Sequence, residues 1–219
     1  MAPHDDDLQL LRAEIAALAA RMIAQDGADY GSAKRKAARQ ILGSEQPGAN
    51  RLPDNAQVEE ELRRYQALFQ GDTQPARLRQ LREIALQVMR QLADFNPYLT
   101  GAVLNGTAGE HDDVHLQLFA DSAKDVVLFL LGKDVNFDIS ETPHFKGGRH
   151  APVETVSFFW RKQSVHAELY ELNDLRGALK ARPDGRPQRA DTEAVRALLA
   201  ADPASSSAST STSTDPTPD

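Results

Sequence analysis

Cysteine is absent from all 219 residues. That excludes disulfides, thiolate metal sites and cysteine nucleophiles. Aromatic residues are few, and only one is tryptophan. No uninterrupted apolar stretch is long enough to span a membrane. Positive charge is in deficit: 25 Lys and Arg face 32 Asp and Glu, a net charge of −7. General DNA-binding surfaces carry the opposite balance. No Gly-x-Ser-x-Gly elbow occurs, nor a Gly-x-x-x-x-Gly-Lys-Ser/Thr phosphate loop. The opening residues Met1 to Asp7 are acidic, unlike a secretory leader, so a cytoplasmic location is expected. What remains is a chain with 41% hydrophobic and 26% charged residues, typical of a soluble globular protein. Its length suits one domain with appendages or two small domains.

The first hundred residues read as helical. Leu8, Leu11, Ile15, Leu18 and Ile23 fall near helical spacing in an Ala-rich stretch that Gly27 can end. Ser32 can cap a second helix running to Leu42. Asp54 can cap a third, with Val58, Leu62, Tyr65 and Phe69 on one side. Pro75 suits the first turn of a fourth, closed by Asn96-Pro97. Lys34, Arg35, Lys36 and Arg39 form one dense basic cluster, read as a solvated helix face or a phosphate or RNA contact.

After Pro97 the period changes from helical to alternating. Leu99 to Leu104 reads as a strand. Val114 to Phe119 alternates, with His115, Gln117 and Phe119 on one face. Ser122 can cap a short helix to Leu131. Val135 to Ile139, Thr155 to Trp160 and Ser164 to Leu172 read as further strands. Phe158, Phe159 and Trp160 are expected to pack on both faces of theirs. Thr192 can cap a last helix. The expectation is an α+β protein in three parts. Residues 1–96 form a helical region. Residues 97–201 form an α/β domain, a mixed sheet of about five strands with flanking helices. Residues 202–219 form a disordered Ser/Thr/Pro tail.

The most informative segment is Leu99 to Phe119. Gly106, Ala108 and Gly109 are small enough for backbone N–H groups to approach a phosphate. Asp113 and His115 lie two apart and share a strand face, where they can meet a metal. Glu168, with His166 and Tyr170 on its face, can supply a third ligand, and Asp138 is its rival. The same residues also read as a tight turn followed by ordinary surface strand residues. His111, Asp113 and His115 form a looser metal-binding possibility. Lys146 and Arg149, in a Gly-rich loop between His144 and His150, can form an anion-binding loop or a plain surface connection.

This segment resembles the signature of the nucleotidyltransferase superfamily that includes polymerase β-like and minimal nucleotidyltransferases. That signature is an apolar strand, Gly-Ser or Gly-Thr, a spacer of about ten residues, then Asp-x-Asp on the next strand. Gly106 and Thr107 match the pair, Asp113 matches the first Asp, and His115 stands in place of the second. Through this run, the downstream Asn-Asp-Leu-Arg-Gly-Ala-Leu and the upstream Ala-Lys-Arg-Lys-Ala-Ala-Arg, most of residues 8 to 200 also resembles short uncharacterised proteobacterial nucleotidyltransferase-like proteins. The resemblance implies transfer of a nucleoside monophosphate from a nucleoside triphosphate to a protein, RNA or small-molecule acceptor. It implies a divalent metal, Mg²⁺ or Mn²⁺, held by Asp113, His115 and Glu168, with Gly106 and Thr107 positioning phosphates. Mg²⁺ prefers oxygen ligands, and His115 removes a negative charge. The alternative is a catalytically degenerate nucleotide- or partner-binding module on the same fold.

Overall fold

The computed structural model describes residues 5–43, 48–178 and 185–202. The expected unstructured tail lies almost wholly outside them. Two compact units divide the chain. Of the described residues, the first takes those up to 78 together with 105–112, and the second takes 79–104 and those from 113 to 202. The dividing points therefore fall inside a helix and around a short connection, not at residue 96.

The helical unit contains α1 (Asp5–Asp26), α2 (Tyr30–Leu42), α3 (Asn55–Phe69) and the start of α4 (Gln74–Gln91). Its core is built from small residues. Ala16, Ala19 and Ala20 of α1 pack with Ala33, Ala37 and Ala38 of α2, joined by Ile15, Val58 and Leu62. Alanine allows close helix approach and favours helix at every position it occupies. Gly27 closes α1 at φ 65. Asp29, not Ser32, caps α2, accepting the Ser32 N–H at 2.9 Å. Asp54 caps α3 in a reciprocal box with Gln57.

The second unit is α+β. Its strands are β1 (Tyr98–Thr100), β2 (Val114–Ala120), β3 (Phe137–Thr142), β4 (Val153–Trp160) and β5 (Gln163–Glu171). They form one mixed sheet in the order β1-β2-β5-β4-β3, with β2 and β5 parallel and the other pairs antiparallel. Helices α5 (Gly101–Asn105), α6 (Ala123–Gly132), α7 (Leu175–Ala178) and α8 (Thr192–Ala201) accompany it.

One expected strand is corrected. Leu99 to Leu104 is extended only to Thr100, after which Gly101 at φ 70 turns the chain into α5. An L-residue resists that backbone conformation, so the glycine sets the break. The β4–β5 turn, Arg161-Lys162, has positive φ at both residues, the pattern of a tight two-residue hairpin. Asp191, not Thr192, caps α8 through the Ala194 N–H.

The two sheet faces differ. Val114, Leu116 and Leu118 of β2, Val165 and Ala167 of β5, and Val156 and Phe158 of β4 are buried on one face. The other carries His115, Gln117 and Phe119 beside His166, Glu168 and Tyr170, with Ser157 and Thr155 beyond. Asp138 and Ser140 of β3 complete that polar face. Phe159 is 74% exposed while Phe158 is buried, so this aromatic run packs on one side only.

Candidate functional site

The polar face holds two clusters, both within the sheet unit. The first is centred on His166. Its Nδ1 pairs with the Ser157 hydroxyl at 2.8 Å, and its Nε2 lies 3.3 Å from Asp113 Oδ2 and 3.2 Å from the Ser164 hydroxyl. Gln163 Nε2 donates to the other Asp113 oxygen at 3.0 Å. The cross-strand partner His115 stacks on His166, ring centroids 5.0 Å apart. β-Sheet register explains this group: His115 and His166 face each other, and Ser157 is next in the row. Asp113 precedes β2 on the same side and reaches across.

The second cluster lies one row along. Glu168 accepts from Gln117 Nε2 at 2.8 Å and from the Tyr170 hydroxyl at 2.7 Å, both at Oε2. Gln117 in turn accepts from Arg189 Nε. The Arg189 guanidinium lies over the Phe145 ring, its central carbon 4.3 Å from the centroid. Burial pushes the Arg189 pKa down against the opposing pull of Tyr170 and Glu168. Burial, reinforced by the bond to Glu168, pushes the Tyr170 hydroxyl well above the ordinary tyrosine value. Tyr170 also stacks on Phe119 and meets Phe145 and His144 edge-on. The loop 143–152 thus closes one end of the face. It is pinned there by Asp174, which takes Lys146 and His144. Burial opposes ionisation of Asp174, but its hydrogen bonds with Lys146 and His144 outweigh it and hold its carboxyl below the usual range.

The expected residues separate accordingly. Asp113 and His115 come together, but with His166 and not with Glu168. Among the described residues, no three His, Asp or Glu side chains are grouped so as to hold a metal ion. The donor set does not fit a pair of Mg²⁺ ions: the His166 cluster offers one carboxylate and two imidazoles where hard oxygen ligands are needed. Asp138 is aligned with Ser157 on the outer strand and is exposed. Lys146 is engaged by Asp174, while Arg149 lies exposed on the same loop.

Gly106 and Thr107 belong to the helical unit. Gly106 follows α5 rather than ending a strand. Within that unit the connection is held by its carbonyls. Gln66 donates to Thr107 O at 2.7 Å, Gln74 to Gly106 O and Ala108 O, Arg63 to Asn105 O and Arg77 to Glu110 O. Thr107 is 1% exposed, beside Tyr30, so its side chain faces protein. His111 packs on Gly27. These contacts give the Gly-Thr stretch a structural role.

Strand alternation put Gln117 on the His115 face without giving it a role, and could have placed Ser157. Sequence reasoning passed over Gln163, Asp174 and Arg189 as site residues. Arg189, far along the chain in a Pro- and Gly-rich segment, carried no local signal. No family model matches the chain, and no curated protein sequence matches it. Among the described residues, no helix is long and apolar enough to cross a membrane.

Proposed function

We propose that this chain is a nucleotidyltransferase-like module that binds a nucleotide or another phosphate-bearing ligand on the polar face of its sheet without turning it over. The single observation that carries this reading is the pairing of the candidate metal-holding carboxylates. Glu168 is held by Gln117 and Tyr170, and Asp113 by His166 and Gln163. Hydrogen-bond donors stand where a catalytic site would aim carboxylates at metal ions.

The order of elements supports the same reading. The pair that directly follows the first strand is Gly101-Ala102, twelve residues before Asp113 counting from the glycine. An alanine there has no hydroxyl for a phosphate. Gly106-Thr107, the pair that matches the signature in sequence, follows α5 instead and has Thr107 buried, and His115 stands in place of the second Asp. What the face offers instead is the guanidinium of Arg189 and the imidazoles of His115 and His166, polar groups that can meet phosphate oxygens without a metal.

Metal-dependent nucleotidyl transfer is the second reading. It is favoured by Asp113, whose side chain stays 40% exposed beside two imidazoles. Mn²⁺ or Zn²⁺ tolerates such a set better than Mg²⁺.

Calorimetric titration with the four nucleoside triphosphates, in chelator and then in Mn²⁺, tests both. Binding that persists in chelator, with no pyrophosphate formed, is the expected result. Pyrophosphate release that requires metal and disappears in Asp113→Asn establishes the transferase instead. Absence of binding under every condition overturns the nucleotide reading altogether.

A further inference from the structure

The opposite side of the sheet unit holds a cavity that the polar face does not use. Its volume is about 210 Å³, and its walls include Val88 and Leu92 of α4, Phe129 and Leu130 of α6, and Phe158 and Trp160 of β4. Val88, Leu92, Leu130 and Phe158 are all buried. Two exposed polar residues also line it, Gln91 and Lys133. The Lys133 ammonium stands 5.6 Å from the Phe129 ring centroid, so its charge lies close to the apolar wall. Trp160, in the cavity wall, donates its indole N–H to Gln87 Oε1 at 3.4 Å.

Size and lining select an occupant. An apolar protein cavity of roughly 150 Å³ holds one benzene ring. This one has room for a single ring and a short arm. Three aromatic side chains in the wall favour a flat ring, through offset and edge-to-face contacts that an alkyl chain lacks. A cation at the opening favours an acidic arm.

We propose that this cavity binds a small monocyclic aromatic carboxylate, ring inward against Phe129, Phe158 and Trp160 and carboxylate toward Lys133. The site is independent of the nucleotide reading and stands if that reading fails.

Trp160 is the only tryptophan in the chain, so the protein gives a single indole N–H cross-peak in a ¹⁵N-correlated NMR spectrum. Phenylacetate, its neutral isostere phenylacetamide, and hexanoate are titrated while that peak is followed. A saturable shift with phenylacetate is expected. Phenylacetamide should bind about three- to fivefold more weakly, the worth of one exposed ion pair. Lys133→Gln should weaken phenylacetate by the same factor and leave phenylacetamide unchanged; this exposed residue can be replaced without disturbing the core. Val88→Phe, which fills the cavity, should abolish the shift. The proposal is overturned if no ligand gives a saturable shift, if phenylacetamide matches phenylacetate, if hexanoate binds more tightly than phenylacetate, or if Lys133→Gln has no effect.

Discussion

Tyr170 sets the character of the polar face. Its hydroxyl donates to Glu168, and its ring joins Phe119, Phe145 and His144. Tyr170→Phe keeps the ring contacts and removes the donor. It should cost about 1–2 kcal/mol in chemical denaturation, because the half-buried Glu168 carboxylate loses a partner. The raised tyrosine pKa has a definite sign. The neutral form is favoured in the fold, so its contribution is complete below the ordinary value near 10 and is lost as pH rises beyond it. Wild type should therefore lose stability in that alkaline window, and Tyr170→Phe should lose less. Asp174 behaves in the opposite sense. Its carboxyl is held low by Lys146 and His144, so its contribution is present above about pH 4 and falls away as pH drops through the folded value. Asp174→Asn should flatten that acid limb in a pH series of thermal melts. Gly27 is a third test. It sits at φ 65, and an added Cβ would come within 2.7 Å of His111 Cβ. Gly27→Ala should cost about 2 kcal/mol or more.

Among the elements, the connection from Asn105 to Asp112 was the least legible from sequence. Its glycines and threonine have the composition of a phosphate loop and of a tight turn alike, and both readings need the same small residues. What decides its role is tertiary: glutamines on α3 and α4, dozens of residues earlier, take its carbonyls. Gln66→Ala should cost about 1–2 kcal/mol by leaving the Thr107 carbonyl without its partner. By contrast, the alternation of β2 and β5 could be read directly, because period two fixes which residues share a face. That alternation placed Glu168 with His166 and Tyr170. It did not reveal that His166, not Glu168, pairs opposite His115, since register across a parallel pair leaves no trace in either strand alone. The short first strand failed for a local reason. Apolar Leu99 to Leu104 suits strand or buried helix equally, and only the left-handed backbone at Gly101 separates the two.

For the molecule as a whole, charge and composition excluded more than they assigned. They ruled out thiol chemistry and argued against a general DNA-binding surface, and the change from helical to alternating period located an α+β arrangement. The polar face is built from side chains brought together from β2, β5, the loop 143–152 and Arg189, a set that no contiguous motif contains. The decisive measurement is nucleoside triphosphate binding in the presence of a chelator, read by calorimetry beside a pyrophosphate assay with Mn²⁺ restored. A non-catalytic module predicts binding without metal, no pyrophosphate, and weaker binding in Arg189→Gln. Metal-dependent pyrophosphate release that Asp113→Asn abolishes would contradict it.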